Sequence, residues 1–300
     1  MTTALVISMT LMAFLGLPGN IFIISTAIHD YHKSGDFPPK NLILISVAAS
    51  NIFFQSALYV MCLVMVLGTF CYTMKYSIFF TQFTACMNTW LTAWLCVFYW
   101  VKITNSSTWF VTSLKHHIVQ IVPFILLLTV AGSGILSSII LFNETPFDQA
   151  NQTMILSMGN CTINNRLFQF MMSCFVVYVV ITCVVPFALM VSSSFLIILT
   201  LCQHASRMKT SLDGISSSRF DVHVRVAKMI VSLIFSYIGF LVFIFLSIFH
   251  QELAQESSFY IFAFFLLDYP TVSSFLIIYG SPRLWKSCAV ACHTKRRTSE

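Results

Sequence analysis

Residues 143–162 read N-E-T-P-F-D-Q-A-N-Q-T-M-I-L-S-M-G-N-C-T and hold three N-x-S/T triplets, at Asn143, Asn151 and Asn160. One such triplet carries little information, because the pattern arises often by chance. Three in so short an island, with long apolar runs on both sides, point to a loop that faces the secretory lumen and later the outside of the cell. That loop sets the side of every other loop.

The flanking runs are too apolar for a soluble domain. The chain of 300 residues is 58% hydrophobic and 9% charged, with 30 Phe, and its mean hydropathy is +0.86. A soluble domain carries roughly 25% charged residues, so this set could not clothe a water-facing surface. Charges cluster between apolar stretches of about 20 residues or more, the length that crosses hydrocarbon. The alternation in ten-residue segments that marks a membrane β-barrel is absent. The sequence therefore predicts an all-α membrane protein.

Apolar runs fall near 3–28, 42–67, 77–103, 118–142, 168–202, 226–249 and 258–280, which makes seven spans in one domain, 1–281, with a short basic tail at 282–300. The first run lacks a basic leader and is too long for a cleaved signal, so it reads as its own signal anchor. With the 143–162 island outside, counting crossings puts the N-terminus outside and the C-terminus in the cytoplasm. The cations test this independently, because Lys and Arg gather in cytoplasmic loops. Of the 16 Lys and Arg, all but Lys75 and Arg166 then fall inside. Asn105 also heads a triplet but lies inside, and is expected to stay bare. The net charge of +6 is a basic inner face over anionic lipid, with no nucleic-acid partner implied.

The ten Cys make no metal or disulfide framework. Cys71 and Cys161 fall in candidate outside loops, which leaves one bridge between them open. Cys202, Cys288 and Cys292 sit at inner edges, where a lipid can be attached. Asn20, Asn51 and Asp268 lie roughly 10–17 residues along their spans, which at about 1.5 Å per residue places them near mid-membrane. Polar groups there face the interior and find partners. The three are expected to form a polar core joining the first, second and seventh spans, either as a moving part of activation or as fixed packing. Asp268 as a ligand counter-ion is the lesser expectation. Pro18, Pro123, Pro186 and Pro270 fall inside spans, where Pro is tolerated as a kink.

Seven spans with the N-terminus outside suit a G-protein-coupled receptor, whereas a transporter more often shows paired halves and broken spans. The third span carries W-L-T-A-W-L-C-V-F-Y-W-V-K-I (90–103) and no D-R-Y. The fifth carries P-F-A-L-M-V-S-S-S-F-L-I-I-L-T-L-C-Q-H-A-S-R-M (186–208). The sixth opens H-V-R-V-A-K-M-I-V-S-L-I-F-S-Y (223–237), without C-W-x-P. The seventh ends Y-P-T-V-S-S-F-L-I-I-Y-G-S-P-R-L-W-K (269–286), without N-P-x-x-Y. In this order the four stretches resemble the type 2 taste receptors, the bitter taste family, through nearly the whole chain. The chain departs from that pattern at Asn51, where the family usually has Arg, at Ser273 in place of a His, and at Ser281 in place of a late Asn. Vomeronasal type 1 receptors, a pheromone family, are the nearer alternative, and a small-molecule transporter the more distant one.

The resemblance implies a chemosensory receptor at the plasma membrane, without cofactor or catalysis. It implies a small bitter ligand in a pocket open to the outside and a gustducin-type heterotrimeric G protein acting through phospholipase C and calcium. It puts Trp90 and Trp94 at ligand-lining positions, with Phe240 facing them from the sixth span and Ala263 from the seventh. Ala263 stands where some members carry an acid. Indole and phenyl walls take flat apolar or cationic molecules by burial, stacking and cation–π contact. At the inner face Lys102, His204, His223, Arg225 and Lys228 frame the expected G-protein cleft, and membrane lipid headgroups compete for the same cations. Pairing with a second copy or another receptor is left open.

Overall fold

In the computed structural model of the chain, the structure describes residues 2–67, 71–104, 109–142, 177–209, 217–249 and 256–297. Apart from short connections the described residues are helical, with no strand among them. The helices are α1 (Thr2–Ser34), α2 (Pro39–Leu67), α3 (Cys71–Ile103), α4 (Trp109–Phe142), α5 (Val185–Lys209), α6 (Ser217–Phe249), α7 (Glu256–Gly280) and α8 (Pro282–Arg297). Chain segments this apolar satisfy their backbone groups internally, and a helix does so within one segment. The stretches 39–64, 112–138, 177–203 and 222–242 are each long and apolar enough to cross a membrane by length and composition alone.

The bundle closes on itself. α1 packs on α2 and α7, α3 on α2, α4 and α5, and α6 bridges α5 to α7. α3 is the central helix, touching α2, α4, α5 and α6. Its position explains its composition, for Asn88, Thr89 and Thr92 are all buried on it. Meanwhile the perimeter is apolar: Phe124, Leu127 and Ile135 of α4 are 66%, 69% and 71% exposed. Polar groups inside and bulky hydrocarbon outside reverse the order of a soluble fold, and fit a solvent of acyl chains.

Helix ends follow local chemistry. α1 stops at Gly35, whose φ of 69° is a left-handed conformation that costs glycine nothing, and whose N–H donates to the Tyr31 carbonyl at 2.8 Å. α5 is preceded by a π turn at Val180–Val184, in which the Val185 N–H donates to the Val180 carbonyl. Pro186 explains it: the proline has no N–H for the Thr182 carbonyl one turn back, and its ring crowds that oxygen. Thr89 of α3 donates to that carbonyl instead, at 3.0 Å.

The tail expected at 282–300 is mostly a helix. Pro282 opens α8, a position where its missing N–H costs nothing. Leu284 turns into the core, and Arg283 pairs with Asp30 of α1. At the α6–α7 crossing Gly280 has no room for a side chain: a Cβ there would overlap the Met229 side chain.

Candidate functional site

Asn20 and Asn51 meet at the centre of the bundle, both fully buried. The Asn51 amide donates to Asn20 Oδ1 at 3.0 Å and to Ser273 Oγ of α7 at 2.9 Å. Its own oxygen accepts from the amide of Asn88 on α3. Asn20 returns its amide to the Gly16 carbonyl at 3.0 Å. One turn outward, Gln55 donates to Thr271 at 2.8 Å, and beyond the hub Tyr269 donates to Thr92 at 3.3 Å. Four helices thus meet at one amide, where a polar group has no water to turn to.

Asp268 is not part of this hub. It stands in a groove between α6 and α7, and Ser273 supplies the α7 contact expected of it. Asn88 and Ser273 were missed from sequence. The available signals were the pairs Asn51/Gln55 and Asn88/Thr92, four residues apart and so on one face of their helices.

Trp90 and Trp94 stack with ring centroids 5.7 Å apart and planes at 29°. They line a cavity of about 390 Å³ with Cys86, Thr129, Ser133 and Leu189, hence between α3, α4 and α5. Trp90 is 19 residues from the first residue of α3 and 13 from its last, so the pair sits near mid-membrane. The Trp94 indole N–H donates to Thr129 Oγ1 at 3.1 Å, tying α3 to α4. Phe240 does not face this pair. Its ring lies 6.4 Å from Phe54, 5.7 Å from Tyr237 and 5.2 Å from Tyr269, in a buried aromatic cluster joining α2, α6 and α7. Tyr237 also donates to the Cys183 carbonyl in the wide turn at 3.3 Å. Ala263 lies on α7, but its side chain is outside the described residues.

The expected coupling residues occupy several separate places. Arg225 of α6 lies over the Tyr279 ring of α7, 5.6 Å from its centroid, within cation–π range. Lys102 lies 6.0 Å from the Phe98 ring on its own helix. Lys228 is exposed and His223 half-buried on α6. Lys40 donates to Ser281 at 3.2 Å, beside the Asp30–Arg283 pair. The His204 side chain, the sugar-acceptor candidates Asn143, Asn151 and Asn160, and any Cys71–Cys161 pairing lie outside the described residues. Among the described residues no His, Cys, Asp or Glu group is arranged to hold a metal, and Cys62, Cys86, Cys96, Cys183 and Cys202 are free.

The family model described as Taste receptor protein (TAS2R) matches residues 1–295. The chain belongs to the type 2 taste receptor family. Relatives include taste receptor type 2 member 7 of Papio hamadryas, 26% identical over 90% of this chain and 86% of its own. Taste receptor type 2 member 143 of Rattus norvegicus is 26% identical over 89% and 90% of the two chains. Among solved structures, squid rhodopsin superposes with a TM-score of 0.67 at 12% identity, covering 95% of this chain and 83% of its own. At that identity the likeness bears on the fold, which is the seven-transmembrane receptor bundle. The taste receptor is thus a multi-pass membrane protein and a bitter-type G-protein-coupled receptor, not an enzyme. The pheromone and transporter alternatives are not favoured.

Proposed function

We propose that this taste receptor binds small, largely apolar bitter compounds against the Trp90–Trp94 face and signals at the plasma membrane. Coupling runs through a gustducin-type heterotrimeric G protein to phospholipase C and calcium. One observation carries the proposal. The stacked indoles border a cavity of about 390 Å³, and the residues just before Trp90 on α3 are Asn88, bonded to α2, and Thr89, bonded to the wide turn before α5. A ligand pressing on the indoles therefore bears on the joints of α3 with both neighbours.

The binding step draws on burial and stacking, with few polar anchors, which favours broad tuning over tight affinity. Phe240 takes part through the aromatic cluster that links α6 to α2 and α7, and Ala263 by the family resemblance. The bound compound need differ by only a few kcal/mol between the two states to shift their populations. At the inner face, release of Arg225 from Tyr279 frees α6 to swing away, and Lys102, His204, His223, Arg225 and Lys228 then border the opening for the G protein. Sugar on Asn143, Asn151 and Asn160 marks the outside loop.

Calcium imaging in cells expressing the chain with a promiscuous G-protein subunit, against a panel of bitter compounds, tests this reading. Trp90→Ala raises the half-maximal concentration by about tenfold or more, the value of a lost aromatic wall, with surface expression intact. Equal potency across several agonists rejects Trp90 as the ligand wall.

A further inference from the structure

A second cavity, of about 420 Å³, lies between α6 and α7 and shares no lining residue with the Trp90–Trp94 cavity. Its α6 side presents Ser232, Ser236 and Gly239, and its α7 side Asp268 and Tyr269, with Phe240 at the back. Asp268 is half-buried there, 12 residues from either end of α7. At about 1.5 Å per residue that is mid-membrane. Among the described residues the ion pair is Arg283 with Asp30, at the inner face, and no described residue hydrogen-bonds to the Asp268 carboxylate. Phe235, which also lines the groove, is 70% exposed on the perimeter, so the groove opens sideways onto the acyl chains.

A carboxylate in hydrocarbon is costly without a counter-charge, and such residues mark functional sites. An occupant that brings a cation supplies that counter-charge, and because entry is from the lipid it brings an apolar body as well. Two aromatic rings, Phe240 and Tyr269, stand 5.2 Å apart at 37° where they can face that cation or its chain. The hydroxyls of Ser232 and Ser236 are the uncharged polar groups on the groove. We infer that the α6–α7 groove is a lateral site for a lipophilic amine partitioned into the bilayer, with its ammonium on Asp268 and its chain along Phe235. The site is separate from the Trp-lined cavity and stands or falls without it.

The test uses the full chain, one copy per phosphatidylcholine nanodisc, with tritiated N,N-dimethyldodecylamine and, as the uncharged counterpart, tritiated dodecyl methyl ether. The amine shows saturable binding above simple partition, and the ether shows none. Asp268→Asn weakens the saturable component about tenfold or more, while Trp90→Ala leaves it unchanged. Gly239→Phe fills the groove, since a Cβ at Gly239 meets nothing within 4 Å, and it abolishes the saturable component without touching the carboxylate. If Asp268→Asn fails to fold, as judged by helical circular dichroism and a monodisperse elution, Gly239→Phe decides the matter. The inference is overturned by any of four results: no saturable amine binding, equal saturable binding of the ether, amine binding unmoved by the groove variants, or amine binding lost in Trp90→Ala.

Discussion

Asn51 joins α1, α3 and α7 through a single amide, so its loss is felt by three neighbours at once. Side-chain hydrogen bonds inside membrane bundles average about 0.6 kcal/mol, and Asn51→Ala removes three, for a cost of about 2 kcal/mol before counting the stranded groups of Asn20 and Asn88. Thermal unfolding of the detergent-solubilised receptor should shift down by several degrees. Asp268→Asn, which breaks no hydrogen bond among the described residues, should leave the transition nearly in place, and the reverse order would contradict the hub described here. Sequence made Asn20 and Asn51 legible because a polar residue deep in an apolar run has few alternatives. Asp268 was misplaced for a geometric reason. Counting residues gives depth but not bearing, and five residues separate Asp268 from Ser273, about 140° around a helix of 3.6 residues per turn. Ser273 itself was illegible, because a serine in a helix can satisfy itself on its own backbone, as it also does here on Pro270.

At the scale of the element, two contacts of α6 with α7 carry predictions. Gly280 meets Met229 with no space for a methyl, so Gly280→Ala overpacks the crossing and costs about 1–3 kcal/mol. Met229→Ala should recover much of that loss, and a double-mutant cycle in thermal unfolding measures it; additive losses would mean the two do not touch. Arg225 on Tyr279 is the other contact. Removing a partly exposed cation–π pair, worth about 0.5–1 kcal/mol, raises ligand-free signalling two- to fivefold if the contact holds α6 inward, read as basal inositol phosphate in Arg225→Ala cells matched for surface expression. Unchanged basal output would free Arg225 of that role. Four of the spans, at 39–64, 112–138, 177–203 and 222–242, were readable from apolar length. α8 was not, because its few apolar residues, Leu284 and Trp285 among them, sit within a basic stretch that composition alone presents as a tail. Nor was the facing of Trp90 toward α4 and α5 readable, since spacing fixes which residues share a face but not which neighbour that face meets.

For the whole molecule, orientation is the property the sequence states most fully, through an acceptor-rich loop on one side and nearly all the cations on the other. Glycosidase digestion of the receptor from mammalian cells should remove mass in the wild type and none once Asn143, Asn151 and Asn160 are all changed to Gln, with Asn105 contributing nothing. A wild type that runs unchanged after digestion, together with an N-terminal tag reached only in permeabilised cells, would reverse the bundle. Asn51 binds the first, second, third and seventh helices to one another and the Asp30–Arg283 pair binds α1 to α8, whereas α6 meets its neighbours, among the described residues, through contacts that include one tyrosine hydroxyl, one stacked guanidinium and packed rings. Where α6 lies along α7 the described fastening is ring against ring and a cation over a ring. Ring faces can slide past one another where an amide joint has to break, so a push on α6 is expected to shift it along those rings before it parts the joint at Asn51.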